Sequence, residues 1–193
     1  MVKLPENEVF YCEHINDKKE NAMLISDFTV KYKSGENLVS YLVNVAIHDE
    51  YKNTNRTYLV KDCITNEIVA YFSLKAGLVS LDESQVDNEF DTVPGVELAQ
   101  FAVNSSYSLY NKVKGIGEIV FYYFILPIVK EISKDLGVSF LYIFALPEER
   151  LINHYKDKLH FKRLSHEEEE KLHSRIKPRY DESCIFMYQS LNE

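Results

Sequence analysis

A stretch of nine residues, VSFLYIFAL at positions 138–146, restricts the fold more than any other part of the chain. It is almost continuously apolar and rich in aromatic and β-branched residues, which is typical of a strand covered on both faces. A second strand, VELAQFAV, is predicted at 96–103, and a mainly helical segment runs from Gly115 to about Leu136 between the two. A strand, a helix and a strand in this order predict a right-handed parallel crossover.

The rest of the chain predicts a mixed α/β protein without internal repeats. In chain order we expect a strand at 9–15, a helix near 23–32, a helix over 38–48, a hairpin of strands at 56–61 and 67–75, a helix from Pro147 to about Leu159, a strand at 161–164, an outer helix and loop over 166–181, and a strand at 184–189. With 193 residues, 46% of them apolar, and no linker-like segment, the chain is predicted to form a single domain over 1–193.

Two local features modify this outline. Residues 82–91, DESQVDNEFD, contain five acidic residues and no basic residue, which favours an exposed loop over a strand. Pro127 lies inside the long helix, where it removes one backbone hydrogen bond and crowds the preceding turn, so a kink is predicted near Tyr123.

Composition and charge limit the classes of function. The net charge of −8 disfavours a nucleic-acid partner and favours a cationic substrate, because nucleic-acid binding draws mainly on Lys and Arg. Cys12, Cys63 and Cys184 are far apart, so neither a disulfide framework nor a zinc site is predicted, and no metal is expected. The sequence has no uncharged apolar window of about 18 residues and no signal-peptide pattern, which predicts a cytoplasmic protein that does not interact with membranes.

The segment NKVKGIGEIV places two lysines and two glycines at the head of the predicted long helix. A helix N-terminus exposes unpaired N–H groups and partial positive charge, and glycine lets a phosphate approach the backbone. Lys112, Lys114, Gly115 and Gly117 therefore suggest an anion cradle, while a glycine turn that merely ends a loop is the open alternative. A dinucleotide-binding fingerprint fits poorly, because Val120 occupies the place of its third glycine.

The order VELAQFAVN, a polar loop and KVKGIG resembles motif A of the GNAT acyltransferases, commonly Leu-x-x-(Leu/Phe)-Ala-Val-Asp followed by (Gln/Arg)-x-x-Gly-x-(Gly/Ala). Downstream, IFALPEERLINHYKDKLHFKRL is similar to the strand and the tyrosine-bearing helix that follow in that family. The resemblance covers a motif core of about residues 94–164. Lys112 replaces the usual Gln or Arg, Glu148 replaces a frequent Asn, and His160 replaces the usual Gly.

This resemblance implies a mixed α+β fold with a mostly antiparallel central sheet that is splayed between its fourth and fifth strands and has helices on both faces. It implies acetyl-CoA as the acyl donor, with the coenzyme diphosphate held at the glycine turn. The resemblance also implies that backbone N–H groups near the end of the 96–103 strand meet the thioester carbonyl and the pantetheine arm. The cofactor-binding residues it assigns are Phe101, Val103, Lys112, Lys114, Gly115, Ile116 and Gly117.

Two catalytic residues follow from the same resemblance. Tyr155 is the predicted general acid, which passes a proton to the coenzyme sulfur. Its alternative is a packed core residue, since it shares an apolar helix face with Leu151 and Leu159. Glu97 is the predicted base, acting through water on the substrate ammonium, because a carboxylate in a central strand is costly unless it is paired or functional. Its alternative is a side chain that simply reaches solvent.

The resemblance implies an N-acetyltransferase that transfers an acetyl group from acetyl-CoA to a primary amine of a small molecule or a protein. Two alternatives stay open: a noncatalytic acyl-CoA-binding sensor or interaction module, and a toxin-type aminoacyl-tRNA acetyltransferase. The sequence also leaves a homodimer open. It does not define the amine.

Overall fold

The computed structural model of the chain describes residues 4–83, 90–175 and 182–191. Within these ranges the strands are β1 (Phe10–His14), β2 (Arg56–Asp62), β3 (Ile68–Glu83), β4 (Phe90–Val103), β5 (Phe140–Ala145), β6 (Lys162–Arg163) and β7 (Ile185–Ser190). They form one sheet in the order β1-β2-β3-β4-β5-β7-β6. β4 and β5 pair in parallel, whereas β1, β6 and β7 pair antiparallel with their neighbours. The predicted mixed, mostly antiparallel sheet with a parallel β4–β5 pair is therefore confirmed.

Helices lie between most of the strands, but two of the predictions for them are wrong. The polar loop expected after residue 104 contains a helix, because Asn104 caps it, and the helix expected over 38–48 is divided in two at Val45. The α-helices are α1 (Asn21–Leu24), α2 (Glu36–Asn44), α3 (Ala46–Tyr51), α4 (Ser105–Asn111), α5 (Ile116–Val120), α6 (Leu126–Asp135), α7 (Glu149–Asp157) and α8 (His166–Arg175). Short 3-10 helices occupy Ile25–Asp27 and Lys33–Gly35. Within the described ranges, none of these helices combines the length and the apolar composition that a membrane span requires.

The long helix is interrupted where Pro127 predicts a distortion. A π-helical turn, Phe121–Ile125, joins α5 to α6, and Pro127 lies in the first turn of α6. A π-helical turn shifts the backbone hydrogen bonds by one residue, which accommodates the donor that proline lacks. The distortion expected near Tyr123 thus takes the form of this turn.

The acidic segment 82–91 is less of a loop than predicted. β3 continues to Glu83 and β4 begins at Phe90, so the loop prediction is wrong at both ends, and residues 84–89 lie outside the described ranges. The physical reason is that β3 and β4 are hydrogen-bonded neighbours. Ladder hydrogen bonds outweigh the weak strand preference of acidic residues.

Two predicted helices have different bounds. The helix predicted near 23–32 ends earlier, because Phe28 is extended (ψ 131°) directly after the 3-10 turn. The helix predicted to begin at Pro147 begins at Glu149, because Glu148 is its N-cap and has the extended backbone (φ −92°, ψ 118°) that a cap residue adopts. Pro147 therefore precedes the helix and does not occupy its first turn.

The chain forms two compact units, each with its own apolar core. The first comprises Met1–Lys75 and Leu98–Glu131, and the second comprises Ala76–Glu97 and Ile132–Glu193. In the first, α2 and α3 pack against the sheet through buried Leu42 and Ala46, which meet Leu59 and Tyr71. The core of the second includes Val79, Phe140, Tyr142, Leu172 and Phe186. The single domain expected over the whole chain stays a prediction.

Candidate active site

The predicted site residues divide between the two compact units. The residues assigned to the cofactor lie in the first unit, and the predicted catalytic pair, Glu97 and Tyr155, lies in the second. The cofactor-assigned residues, all in the first unit, are Phe101, Val103, Lys112, Lys114, Gly115, Ile116 and Gly117. The two sets also differ in how they are built.

Asn104 fixes the place where β4 ends and α4 begins. Its side-chain carbonyl accepts from the N–H of Ser106 at 3.2 Å, which caps α4. Its side-chain amide donates to the carbonyl of Ile68 at 2.8 Å, and its own N–H donates to the carbonyl of Val69 at 2.9 Å. These bonds hold the end of β4 against β3 within the first unit.

The turn between α4 and α5 contains two residues in the left-handed region. Lys112 (φ 53°) ends α4, and Gly115 (φ 71°) caps α5. A residue with a side chain costs about 1–2 kcal/mol in this conformation, whereas glycine adopts it freely. The first glycine of the motif is therefore needed for the backbone path of the turn.

The head of α5 packs closely on the end of β4. Ile116 is buried, and the N–H of Ile119 donates to the carbonyl of Gly115 at 3.0 Å, which is the first helical hydrogen bond. A Cβ atom added to Gly117 would lie 3.8 Å from Val103 Cγ2 and 4.0 Å from Phe101 Cζ. The structure thus brings Phe101, Val103 and Gly117 together. The N–H groups that precede Ile119 belong to the first turn of the helix, where a helix offers them no intrahelical acceptor.

The charges at this turn fit an anion. The side chains of Lys112 and Lys114 are exposed on either side of Val113. Burial raises the pKa of Tyr122, and the Glu118 carboxylate raises it further. Glu118 lies in the first turn of α5, where its negative charge competes with a bound anion for the positive end of the helix.

Glu97 lies beside a tyrosine that the sequence did not single out. Glu97 of β4 and Tyr142 of β5 are partners in the parallel register, and the Tyr142 hydroxyl donates to Glu97 Oε2 at 3.5 Å. A Cβ atom added to Gly77 would lie 1.9 Å from the Tyr142 hydroxyl oxygen, so the phenol occupies space that only a glycine leaves open. Burial and the Glu97 carboxylate raise the pKa of Tyr142 well above its usual range. The Tyr142 phenol is therefore neutral and available to donate.

Tyr155 is held on α7 by aromatic packing. Its ring lies 5.7 Å from that of Phe161 in an edge-on arrangement, and its carbonyl accepts from the Phe161 N–H at 3.0 Å. Burial raises the pKa of Tyr155 to about 12. The side chain is nevertheless partly exposed, so it can pack against Phe161 and still contact a ligand. Its catalytic role stays a prediction.

The fold is that of the GNAT acyltransferases, as the motif predicts. No protein-family model and no curated protein sequence matches the chain. Solved structures match it over nearly its whole length. AtaT complexed with acetyl-methionyl-tRNAfMet superimposes with a TM-score of 0.68 at 15% identity, with 95% of each chain covered.

Two further structures show the same similarity. A tyrosine-to-phenylalanine mutant of the toxin AtaT, bound to the C-terminus of the antitoxin AtaR and to acetyl-CoA, has a TM-score of 0.66 at 16% identity and covers 95% of this chain and 94% of its own. A tyrosine-to-phenylalanine mutant of KacT has a TM-score of 0.67 at 17% identity, with 96% of each chain covered. At these identities the similarities establish the fold, and the partners belong to those proteins.

Proposed function

We propose that this chain is an acetyl-CoA-dependent N-acetyltransferase that acts on a primary amine. The observation that carries the proposal is the turn from Lys112 to Gly117, where a left-handed glycine starts a helix against the end of a GNAT β4 strand. The N–H groups of a helix N-terminus and two exposed lysines are the features that a diphosphate needs. The AtaT complex with acetyl-CoA supports the same donor for this chain.

The reaction requires one proton to leave the amine and one to reach the departing sulfur. Acetyl-CoA supplies the thioester: its carbonyl carbon forms a bond to the amine nitrogen, and its carbon–sulfur bond breaks. Glu97 accepts a proton from the ammonium through water, so that the nitrogen has a free electron pair. Tyr155 donates its phenolic proton to the thiolate, and backbone N–H groups near Val103 stabilise the charge that develops on the carbonyl oxygen.

The protonation state of Tyr155 supports its role. With a pKa of about 12, its phenol keeps its proton throughout the neutral range and can donate it. AtaT and KacT were both solved as tyrosine-to-phenylalanine mutants, and Tyr155→Phe is the same type of change in this chain.

A second candidate acceptor is the α-amino group of an aminoacyl-tRNA. The structure of AtaT with acetyl-methionyl-tRNAfMet favours it. So does a surface cavity of about 450 Å³ in the second unit, which is lined by Lys156, His160, Phe161, Lys162 and Arg163. Lys156 and Lys162 place positive charge here, together with Arg163, whose guanidinium is paired with Glu169 at 2.8 Å. Because phosphates respond to the nearest charges, the net charge of −8 does not by itself exclude tRNA.

Mass spectrometry of an acceptor panel tests the proposal. Purified protein and acetyl-CoA are incubated with amino-acid amides, a polyamine, a lysine peptide and methionyl-tRNA. We expect at least one acceptor to gain an acetyl group on nitrogen. Binding of acetyl-CoA without acetylation of any acceptor would instead identify a noncatalytic acyl-CoA sensor. Strongly salt-dependent tRNA binding together with acetylation of the aminoacyl group would select the second acceptor.

A further inference from the structure

A cavity of about 260 Å³ lies in the second unit, on the sheet face that carries Glu97 and Tyr142. Its floor is apolar: Val79 and Phe186 are fully buried, and Phe140 is nearly so. Val93 and Tyr188 form partly exposed walls. The function proposed above does not use this cavity.

The cavity continues the row of side chains that begins at Glu97. Alternate residues of a strand face the same side, so Val93 shares a face with Glu97, and Phe140 shares a face with Tyr142. The Tyr142 ring centroid lies 5.5 Å from that of Phe140 and 5.4 Å from that of Phe186, both of which line the cavity. Tyr142 thus packs between the cavity-lining rings of Phe140 and Phe186 on one side and the Glu97 carboxylate on the other.

Two glycines make this arrangement possible. A Cβ atom on Gly95 would lie 2.8 Å from Phe140 Cε2, and one on Gly77 would lie 1.9 Å from the Tyr142 hydroxyl oxygen. Contacts this short do not occur for real Cβ atoms, so a side chain at either position would force the neighbouring ring to move. The absence of both side chains allows the two rings to lie over β3 and β4.

The rim of the cavity is polar and carries negative charge. Ser139, Ser190 and Glu168 line it. The Glu168 carboxylate accepts from the N–H of Ser165 at 2.8 Å and from its hydroxyl at 2.7 Å, and these bonds lower the pKa of Glu168. An ionised carboxylate at the rim and an apolar floor fit a molecule with a cationic end and an apolar end.

The volume of the cavity suits one part of a ligand and is too small for a whole ligand. Whole ligands generally occupy pockets of about 300–1,000 Å³, and this cavity is smaller. It is also far larger than the roughly 30 Å³ that one water molecule occupies. An aliphatic or aromatic amino-acid side chain lies between these limits.

We propose that this cavity holds the apolar side chain of the amine acceptor, so that the enzyme prefers α-amino compounds whose side chain is the size of leucine, methionine or phenylalanine. The inference rests on the proposed acetyltransferase function and names its substrate class. It applies equally to a free amino-acid derivative and to an aminoacyl ester, because the side chain is the same in both.

A comparison of amino-acid amides tests this inference. The kcat/KM for acetylation by acetyl-CoA is measured with glycinamide, leucinamide and methioninamide. We expect the two larger amides to be preferred by about tenfold or more, the size of effect that one or more methylene groups produce in an apolar pocket. Val93→Phe replaces a small aliphatic side chain in the cavity wall with an aromatic ring, and is expected to reduce this preference to a few-fold.

Val43→Phe is the matched control, since Val43 is a partly exposed valine on α2 in the first unit, and we expect it to retain the wild-type preference. Ser190→Leu is a second cavity variant that keeps the test open if Val93→Phe does not fold. Equal use of glycinamide and leucinamide, or an unchanged preference in both folded cavity variants, overturns the inference while leaving the acetyltransferase standing. If no amine is acetylated, the proposed function fails, and the inference falls with it.

Discussion

The residues assigned to the cofactor and the predicted catalytic residues depend on different features of the structure. The turn from Lys112 to Gly117 depends on two residues in the left-handed region, the N–H groups of a helix N-terminus, and two exposed lysines. Glu97 and Tyr155 are partly buried side chains, each beside an aromatic neighbour: Tyr142 for Glu97 and Phe161 for Tyr155. A backbone turn at a helix N-terminus controls affinity for an anion, whereas a titratable side chain controls proton transfer. Changes in the first region should therefore affect binding, and changes in the second should affect rate.

The largest effect is expected for Tyr155→Phe. Removing the hydroxyl removes the proposed proton donor while preserving the packing against Phe161. We expect kcat to fall by about 100-fold or more, within the range for general acid–base groups, and the Kd for acetyl-CoA to stay unchanged. Steady-state kinetics and calorimetry measure the two quantities.

Tyr123→Phe is the control for this change, because Tyr123 is 61% exposed, and its kcat should match that of the wild type. An equal kcat for Tyr155→Phe and the wild type would assign Tyr155 to packing alone.

Glu97→Gln should give a smaller and pH-dependent effect. An α-amino acceptor has a pKa of about 8, so it is mostly protonated at pH 7 and needs a base. We expect kcat/KM to fall about tenfold to 100-fold at pH 7, and the deficit to shrink near pH 9.5, where the amine is already neutral. A deficit of the same size at every pH would mean that the carboxylate is structural.

Gly115→Val should act on binding. At a φ of 71° a β-branched residue is strained, so the turn will shift and its N–H groups will lose their alignment. We expect the Kd for acetyl-CoA to rise about tenfold, with little change in kcat at saturation. Calorimetric titration measures this change.

Gly137→Val provides a comparison at another exposed glycine, which also has nothing within 4 Å of an added Cβ and does not have a left-handed φ. Its Kd should equal that of the wild type. If both variants bind acetyl-CoA normally, the turn is not the cradle.

The smallest effect concerns stability, and it is expected only above pH 10. Burial raises the pKa of Tyr155 to about 12 and raises that of Tyr142 further, while an unfolded tyrosine titrates near 10. The stabilisation from these neutral phenols is complete below pH 10 and is lost as the pH rises through about 12. Urea unfolding should show a declining free energy of unfolding between pH 10 and 11.5, with a shallower decline in Tyr155→Phe. Identical slopes would contradict burial of this phenol.

The contrast between the regions also explains what the sequence could predict. The glycine turn is local, so spacing and residue type were sufficient to locate Gly115 and Gly117. The pairing of Glu97 with Tyr142 depends on the register of two strands that are more than 40 residues apart. Because Tyr142 lies in the apolar stretch VSFLYIFAL, the sequence predicts only a core residue there and no role for its hydroxyl. Gly77 was overlooked for the same reason, since its neighbour comes from another strand. The strand ends around 82–91 depended on pairing that composition does not encode.

A crystal structure with bound acetyl-CoA tests the central claim most directly. The account predicts that the diphosphate oxygens lie within hydrogen-bonding distance, about 2.7–3.2 Å, of the backbone nitrogens of Gly115, Ile116 and Gly117. A coenzyme bound elsewhere, with these nitrogens facing solvent, would contradict it.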